Sequence, residues 1–417
     1  MSEPLAAAEA ALRVLTDVRR QPAVRMPLDD ALDAILAEDA VSPVDIPAWT
    51  NSAMDGYATR GVDVLGAAAE RPVRLRVVEH LPAGRFPTRA IGPGECARIF
   101  TGAPLPDGSD SVIRQEDTDG GADTVTIVRD RDVGVNFRRT GEDIRKGTTV
   151  LHAGTELGPA ELGVLASLAV AHPLVYRQPR VAILGSGDEI VDVDQPEEIL
   201  SGRKIASSNT HTLMALVRRA GGVPVNLGIA HDTPDSLREH LRRAQGCDLL
   251  VTTAGISVGE HDFVRSVLEE LGAVQRFWKL RMRPGAPVGF GLLGEAPWIG
   301  LPGNPVSTMV TFELFVRPAI RKMSGHALPF RRTVPVRMAE PVSLKPRLQH
   351  FLRAIVTEGP GGLEARLTGP QGSGILTSMV LANALLVIPE GQHETPVGAA
   401  ASALVLDDPV HRAEPGF

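Results

Sequence analysis

Between about residues 173 and 325 one pattern repeats: a short apolar strand, a glycine- or proline-marked loop, then a helix. V-A-I-L (181–184) runs into G-S-G-D-E, and V-P-V-N-L-G-I (223–229) runs into A-H-D-T-P-D. L-L-V-T-T (249–253) leads to A-G-I-S-V-G-E-H-D-F, and W-I-G-L (298–301) leads to P-G-N-P. Such alternation predicts a parallel-rich sheet covered by helices on both faces. In folds of this kind ligands bind beyond the carboxyl ends of the strands, where every loop just quoted falls. The helix over 210–220 should be capped by Ser208 or Asn209 and end at Gly221-Gly222. The next should open with Thr233 as cap and Pro234 in its first turn.

The flanking sequence follows other periods. Residues 3–20 have helical spacing with Pro4 near the start, and a second helix is expected from Pro27 to Ala40. Residues 42–135 alternate apolar and polar positions between Gly/Pro/Asp turns, which predicts a β-rich region. Residues 136–172 hold a turn, a short strand and an apolar helix over Pro159–Ala171, a connector expected to pack with the 27–40 helix. After Gly325 strands return, suggesting a small β domain. A chain of 417 residues has room for about two to four domains. The fold class expected is therefore multidomain α/β plus β.

Charge and cysteine usage narrow the function. A net charge of −7 disfavours non-specific nucleic-acid binding, which draws on a basic surface. Cys96 and Cys247 lie far apart without metal-ligand spacing, which fits a reducing compartment. The amino terminus lacks a basic region followed by an apolar core, and the best apolar run, Leu162 to Ala171, is about half of the ~20 residues a membrane span needs. The sequence thus predicts a soluble cytoplasmic protein with no membrane partner.

Four segments carry chemistry. The turn Pro302-Gly303-Asn304-Pro305 precedes a helix whose first N–H groups and dipole suit an anion, with Asn304 and Ser307 as polar neighbours. In G-S-G-D-E, Gly185 and Gly187 permit a nest of N–H donors around Ser186, beside the carboxylates of Asp188 and Glu189. A-G-I-S-V-G-E-H-D-F repeats the theme with Gly255, Ser257, Gly259, Glu260 and Asp262. Carboxylates repel an anion unless a divalent cation lies between them, so Mg²⁺ is implied. F-W-K-L-R-M-R-P-G-A-P places Lys279, Arg281 and Arg283 at alternate positions, one face of a strand, where they would form a cationic surface for an oxyanion. T-N-S-A-M-D-G-Y-A and N-F-R-R-T-G-E-D-I-R-K-G crowd further acids into turns, which a hairpin and a surface ion cluster would explain equally well.

Those segments, with I-F-T-G-A-P-L-P, S-S-N-T-H-T-L and T-G-P-Q-G-S-G-I-L-T-S, occur in an order that resembles the molybdopterin molybdenumtransferase family, the MoeA-type enzymes that include the gephyrin E domain. They span nearly the whole chain. The resemblance implies an elongated homodimer of four-domain subunits. Residues 1–22 and 173–325 would form a MogA-like three-layer α/β/α substrate-binding domain. Residues 23–41 and 136–172 would form an elongated connector and dimerisation domain, 42–135 a β-rich domain, and 326–417 a C-terminal small β-barrel-like domain. The implied reaction inserts molybdate into adenylylated molybdopterin and releases AMP. Carried over, Asp55, Asp143, Glu189, Asp232 and Asp262 match the family's functionally important acids, with Asp188, Glu189 and Asp262 as the implied Mg²⁺ donors. Ser186, Asp188, Gly255, Ser257, Gly259, Lys279, Arg283, Pro302, Asn304 and Ser307 fall in its substrate-binding loops. Arg353 and Ser373 match positions implicated in activity in the last domain. Family sites lie at the dimer interface, and the implied partners extend to a MogA-type adenylyltransferase and molybdoenzyme maturation factors.

The chain departs from the family where Arg283 and Ala286 replace two lysines, Ala254 the first of two glycines, Ser207 an aspartate and Ala384 a glycine. Arg283 is a planar fork rather than a compact ammonium, and losing the second lysine weakens the field on molybdate. Two alternatives stand beside the insertion reaction. One is molybdopterin adenylyltransferase activity, and the other is a pterin-binding scaffold with weakened catalysis.

Overall fold

The structure, a computed structural model, describes residues 4–254, 263–345, 347–359 and 361–407. Its contacts divide into two compact units. One comprises residues through Ala37, Glu156–Gly158 and the chain from His172 onward; the other comprises Glu38–Thr155 and Pro159–Ala171.

The first unit is built on a six-stranded sheet in the order Val223–Ala230, Arg180–Ser186, Leu249–Thr253, Ala296–Leu301, Pro287–Leu293, Ala273–Lys279. The first four strands are mutually parallel and the last two antiparallel. Period-two alternation explains the two layers of helix. Val181 and Ile183 point to one face, where Ala7–Asp17, Ser208–Arg219 and Pro305–Thr311 pack. Ala182 and Leu184 point to the other, under Pro234–Arg242 and Phe263–Glu270. Each Val or Leu taken fully from water here contributes about 1.5–3 kcal/mol. Thr233 caps its helix as expected, accepting from the Ser236 N–H at 3.3 Å with Pro234 in the first turn. The cap of the preceding helix is Ser207 rather than Ser208 or Asn209. Pro305–Thr311 continues without a break through a π-helical turn, Phe312–Val316, into Arg317–Met323. Pro318 explains that turn, because its ring offers no N–H and crowds the carbonyl four residues back.

The same unit carries a closed barrel. Gln349–Gly359, Gly362–Leu367, Thr333–Met338, Ala400–Val405 and Ala384–Ile388 pair in that order, and the last strand pairs again with the first. Its interior is apolar, centred on Leu352, Ala354, Leu386 and Ala403. Met282–Arg283 adds to its edge beside Gln349 and His350.

The second unit holds a five-stranded sheet in the order Ser111–Arg114, Gly56–Thr59, Glu95–Ile99, Val73–Leu81, Thr124–Ile127. The helix Pro159–Ser167 also belongs to it.

Two expectations are overturned. No helix covers 27–40. A single 3₁₀ turn, Leu28–Asp30, gives way at Asp33, whose φ is 62°, and Ile35 and Leu36 are buried in bridges to Glu156 and Val175. Burial against distant sequence outweighs helix propensity there. Lys279, Arg281 and Arg283 do not share one strand face. The α/β strand ends at Lys279, and Met282–Arg283 already belongs to the barrel sheet. Among the described residues no helix is long and apolar enough to cross a membrane.

Candidate functional site

Strand register brings the unusual loops to one edge. Gly185 lies beside Thr253, Thr253 beside Leu301, and Ser186 beside Ala230, so the loops after these strands emerge together. They border a cavity of about 390 Å³ lined by Gly185, Glu189, Ile190, Ser207, Ser208, Asn209, Thr253, Ala254, Gly303, Asn304 and Pro305 among others. This is within the size range of small-ligand sites. A larger cavity, about 530 Å³, opens at the opposite, amino ends of the strands near Cys247, Leu249 and Ala296. It contains none of the candidate residues, and strand-end chemistry favours the smaller one.

The turn before the long helix is held from several sides. Asn304 occupies the N-cap position without a side-chain cap bond, leaving its amide for other partners. Asn209 Nδ2 donates to the Gly303 carbonyl at 2.7 Å, and Thr308 Oγ1 donates to the Pro302 carbonyl at 2.6 Å. Ser307 is buried, and its carbonyl accepts from Thr311 Oγ1 at 2.7 Å. Val306 N–H donates to the Ser373 carbonyl at 3.1 Å, which brings the glycine-rich barrel loop onto the helix start. Gly285 packs from another direction: a Cβ there would stand 2.4 Å from Thr311 Cγ2.

Glu189 is exposed and lines the cavity. Gly187 lets the chain turn close to it, since φ there is +140° and a Cβ would meet Glu189 Oε2 at 2.8 Å. Asp188 faces a different set of partners. Its Oδ1 meets His231 Nδ1 at 3.0 Å and accepts from Asp232 N–H at 3.3 Å, while its own N–H donates to Asp232 Oδ2 at 3.4 Å. The Asp232 N–H, then His231, hold the Asp188 carboxyl below the usual range. Lys204 Nζ reaches the Asp188 carbonyl at 2.5 Å. Ser186 is buried, with Oγ 3.4 Å from the Thr253 carbonyl. Gly255, Ser257, Gly259 and Asp262 lie outside the described residues. Among the described residues no three metal-ligating side chains converge, so of the implied Mg²⁺ donors only Glu189 is seen to line the cavity.

Lys279 and Arg283 are both exposed, at the end of one sheet and the edge of the other. Arg281 bonds the Pro4 carbonyl and Glu390, so its charge is already matched. Arg353 is fully buried. Its Nε donates to Ser378 Oγ and its Nη2 to the Gly372 carbonyl, both at 3.0 Å.

Ala254 stands in the left-handed region at φ 64°. This costs a residue with a Cβ about 1–2 kcal/mol and explains a glycine preference at this position. Ala254→Gly is expected to stabilise the protein by roughly 0.5–1 kcal/mol, after the larger unfolded-state entropy of glycine is subtracted. Chemical denaturation of the pair checks this; an unchanged or lower midpoint would contradict the strain.

In the second unit three sequence motifs meet. Ser52 N–H donates to the Ala103 carbonyl and Gly102 N–H to that of Ser52. Asn51 pairs with Arg138, and Thr140 N–H donates to Thr50 Oγ1 at 3.3 Å. Asp55 Oδ1 accepts from both Thr101 N–H and Thr101 Oγ1 at 2.8 Å. The Thr101 N–H first, then its hydroxyl, hold the Asp55 carboxyl below the ordinary range. The stabilisation this contact gives is present above the unfolded carboxylate range and is lost as pH falls through the lowered folded value. Thr101→Val removes one donor and should move the Asp55 titration part of the way back up, as followed by carboxyl NMR. Asp143 is exposed, its N–H bonded to the Ile46 carbonyl at 3.0 Å. Sequence reasoning passed over Thr101, His231 and Lys204, and took Asn209 only as a helix cap. Thr101 sat inside a quoted motif, but nothing local marks it as the partner of Asp55.

A three-layer α/β unit with its cavity at the strand ends, joined to a closed barrel, defines a class of small-molecule binding proteins, and comparison with known proteins narrows it. Residues 5–169 match the MoeA N-terminal region (domain I and II), residues 182–322 a probable molybdopterin binding domain, and residues 335–406 the MoeA C-terminal region (domain IV). A molybdopterin molybdenumtransferase of Nostoc sp. is 38% identical over 90% of this chain and 86% of its own. One from Bacillus subtilis is 33% identical over 97% of this chain and 94% of its own. The crystal structure of a molybdopterin biosynthesis MoeA protein from Pyrococcus horikoshii superposes with a TM-score of 0.80 at 29% identity, covering 97% of this chain and all (100%) of that one. The chain belongs to the molybdopterin molybdenumtransferase family.

Proposed function

We propose that this protein is a transferase that inserts molybdenum from molybdate into adenylylated molybdopterin, releasing AMP in the last step of molybdenum cofactor biosynthesis. The observation that carries the reading is the edge where Glu189, Asn209, Asn304 and the helix start border one cavity. It is supported by family membership over most of the chain.

The chemistry follows from charge. N–H groups at the start of the long helix and the amides of Asn209 and Asn304 would hold the nucleotide phosphate. Lys279 and Arg283 would draw in molybdate, a dianion. An oxygen of molybdate or of water attacks phosphorus, the phosphoanhydride P–O bond breaks and AMP leaves; the two dithiolene sulfurs bond molybdenum as an oxo ligand departs, leaving as water with the two thiol protons. Glu189 would orient the attacking oxygen or accept its proton, a role needing reach and position. Glu189 is the described carboxylate on this cavity that would face Mg²⁺, which would supply charge neutralisation between carboxylate and phosphate. Asp55, Asp143 and Asp232 are assigned to the same reaction, Ser186 and Asp188 to the support of the cavity, and a homodimer in the cytoplasm is the expected working form.

Mixing the purified protein with adenylylated molybdopterin while varying molybdate tests this. AMP release that rises with molybdate supports insertion. Pyrophosphate release from ATP would instead mark adenylylation, and tight pterin binding without turnover would mark a scaffold.

A further inference from the structure

Arg353 is placed unlike a substrate ligand. It is wholly shielded from solvent in the middle of barrel strand Gln349–Gly359, a strand whose neighbours Phe351, Leu352 and Ala354 are also buried. Burial pushes its guanidinium down from the usual arginine value. Among the described residues no carboxylate pairs with it, and its Nη1 has no hydrogen-bond partner. Its side-chain bonds and its contacts with Gln371 all go to one stretch, Gln371 to Ser378, the glycine-rich loop and the start of the short helix after it. Arg353 N–H donates to Gln371 Oε1 at 2.9 Å, and Gln371 Nε2 donates back to the Arg353 carbonyl at 3.1 Å. Nη2 holds the Gly372 carbonyl and Nε the Ser378 hydroxyl. One peptide unit beyond Gly372, the Ser373 carbonyl accepts the Val306 N–H at the start of the long helix.

We propose that Arg353 is a positioning residue: it latches the glycine-rich barrel loop onto the first turn of the anion-binding helix. The cation is separated from the helix start by two hydrogen bonds and one peptide unit. The loop is largely exposed and contains Gly369, Gly372 and Gly374; its own turn bonds, such as Ile375 N–H to the Gly372 carbonyl, shape it locally, and Arg353 ties that shape to the barrel. With the latch made, the Val306 N–H is committed to protein; Pro305 has none and the Thr308 N–H bonds the Asn304 carbonyl, which leaves the Ser307 N–H of this turn for ligand. Because no described carboxylate neutralises Arg353, its positive charge adds to that of the helix start and favours a polyanion there. An arginine fits this task because its planar fork serves two acceptors at once, which an ammonium at the same depth cannot do.

This inference rests on the function proposed above, but its main readout does not. Arg353→Lys keeps a charge and loses the fork. Its melting temperature should stay near that of the parent, while amide exchange in the 302–312 segment rises about tenfold, as expected for loss of a charged hydrogen bond. KM for adenylylated molybdopterin should rise with a smaller change in kcat. Ser378→Ala, which removes the Nε acceptor together with the Ser378 Oγ donation to the Ile375 carbonyl, should show the same direction and serves if the first variant does not fold. Unchanged exchange in both variants overturns the proposal. So does lost activity with Val306 fully protected, which would make Arg353 a direct substrate ligand. A parent protein inactive with molybdate would sink the insertion reading and leave the exchange result standing.

Discussion

Glu189→Ala is expected to remove molybdate-dependent AMP release almost completely while leaving the fold intact. Glu189 is exposed at a strand end, and it lies on the lining of the cavity bounded by Asn304 and Pro305. Surface substitutions of this kind usually change stability by no more than ~0.5 kcal/mol. Loss of a positioned acid or base typically costs about 10²–10⁴ in rate. The two expectations together separate chemistry from folding: a melt matching the parent beside an AMP-release rate reduced by at least about 10². Asp188→Ala is the informative neighbour. It breaks the bonds to His231 and Asp232 and so should loosen the loop as well as slow the reaction. Parent-like turnover in Glu189→Ala would remove this carboxylate from the mechanism.

How much of this was legible in the sequence depends on whether the deciding contacts are local. G-S-G-D-E and P-G-N-P announce themselves because an apolar strand, a turn residue with a fixed φ preference and a helix start are all short-range signals. The cap at Thr233 is equally local, with its acceptor role set within three residues. The failures have distant causes. The 27–40 segment carries good helix formers, yet Ile35 and Leu36 are claimed by Glu156 and Val175, more than a hundred residues away. Residues 277–283 alternate in the same way whether one strand continues or two sheets share it, and only the pairing of Met282 with Gln349 decides. Arg353 falls among apolar neighbours in a strand pattern that does not say where its side chain goes. The closed barrel buries it, and its partner loop lies some twenty residues on. Motif order points to the loops that border the cavity; it does not tell which side chains line it and which hold the lining in place.

The Pro284-Gly285 loop puts that distinction to a demanding test through Gly285→Ala. Gly285 has φ +98°, a region costly for any residue with a Cβ. Its added methyl would also stand 2.4 Å from Thr311 Cγ2. Thr311 cannot give way cheaply, since it is buried and its hydroxyl is tied to the Ser307 and Thr308 carbonyls. The loop must therefore move off the helix, with Arg283 two residues before it. Backbone strain and lost packing together should cost about 2–4 kcal/mol, within the range of severe single substitutions. A shift near 1 Å in a substrate-positioning group can slow turnover about 10²-fold, so activity should fall more than stability alone explains. Gly294→Ala is the matched control: φ there is +62° and nothing lies within 4 Å of the new Cβ, so only the backbone cost applies. Denaturant midpoints and molybdate-dependent AMP release on both variants settle the matter. If the two variants lose the same stability and both keep parent-like turnover, then the contact between the Arg283 loop and the helix start has no part in holding the site together.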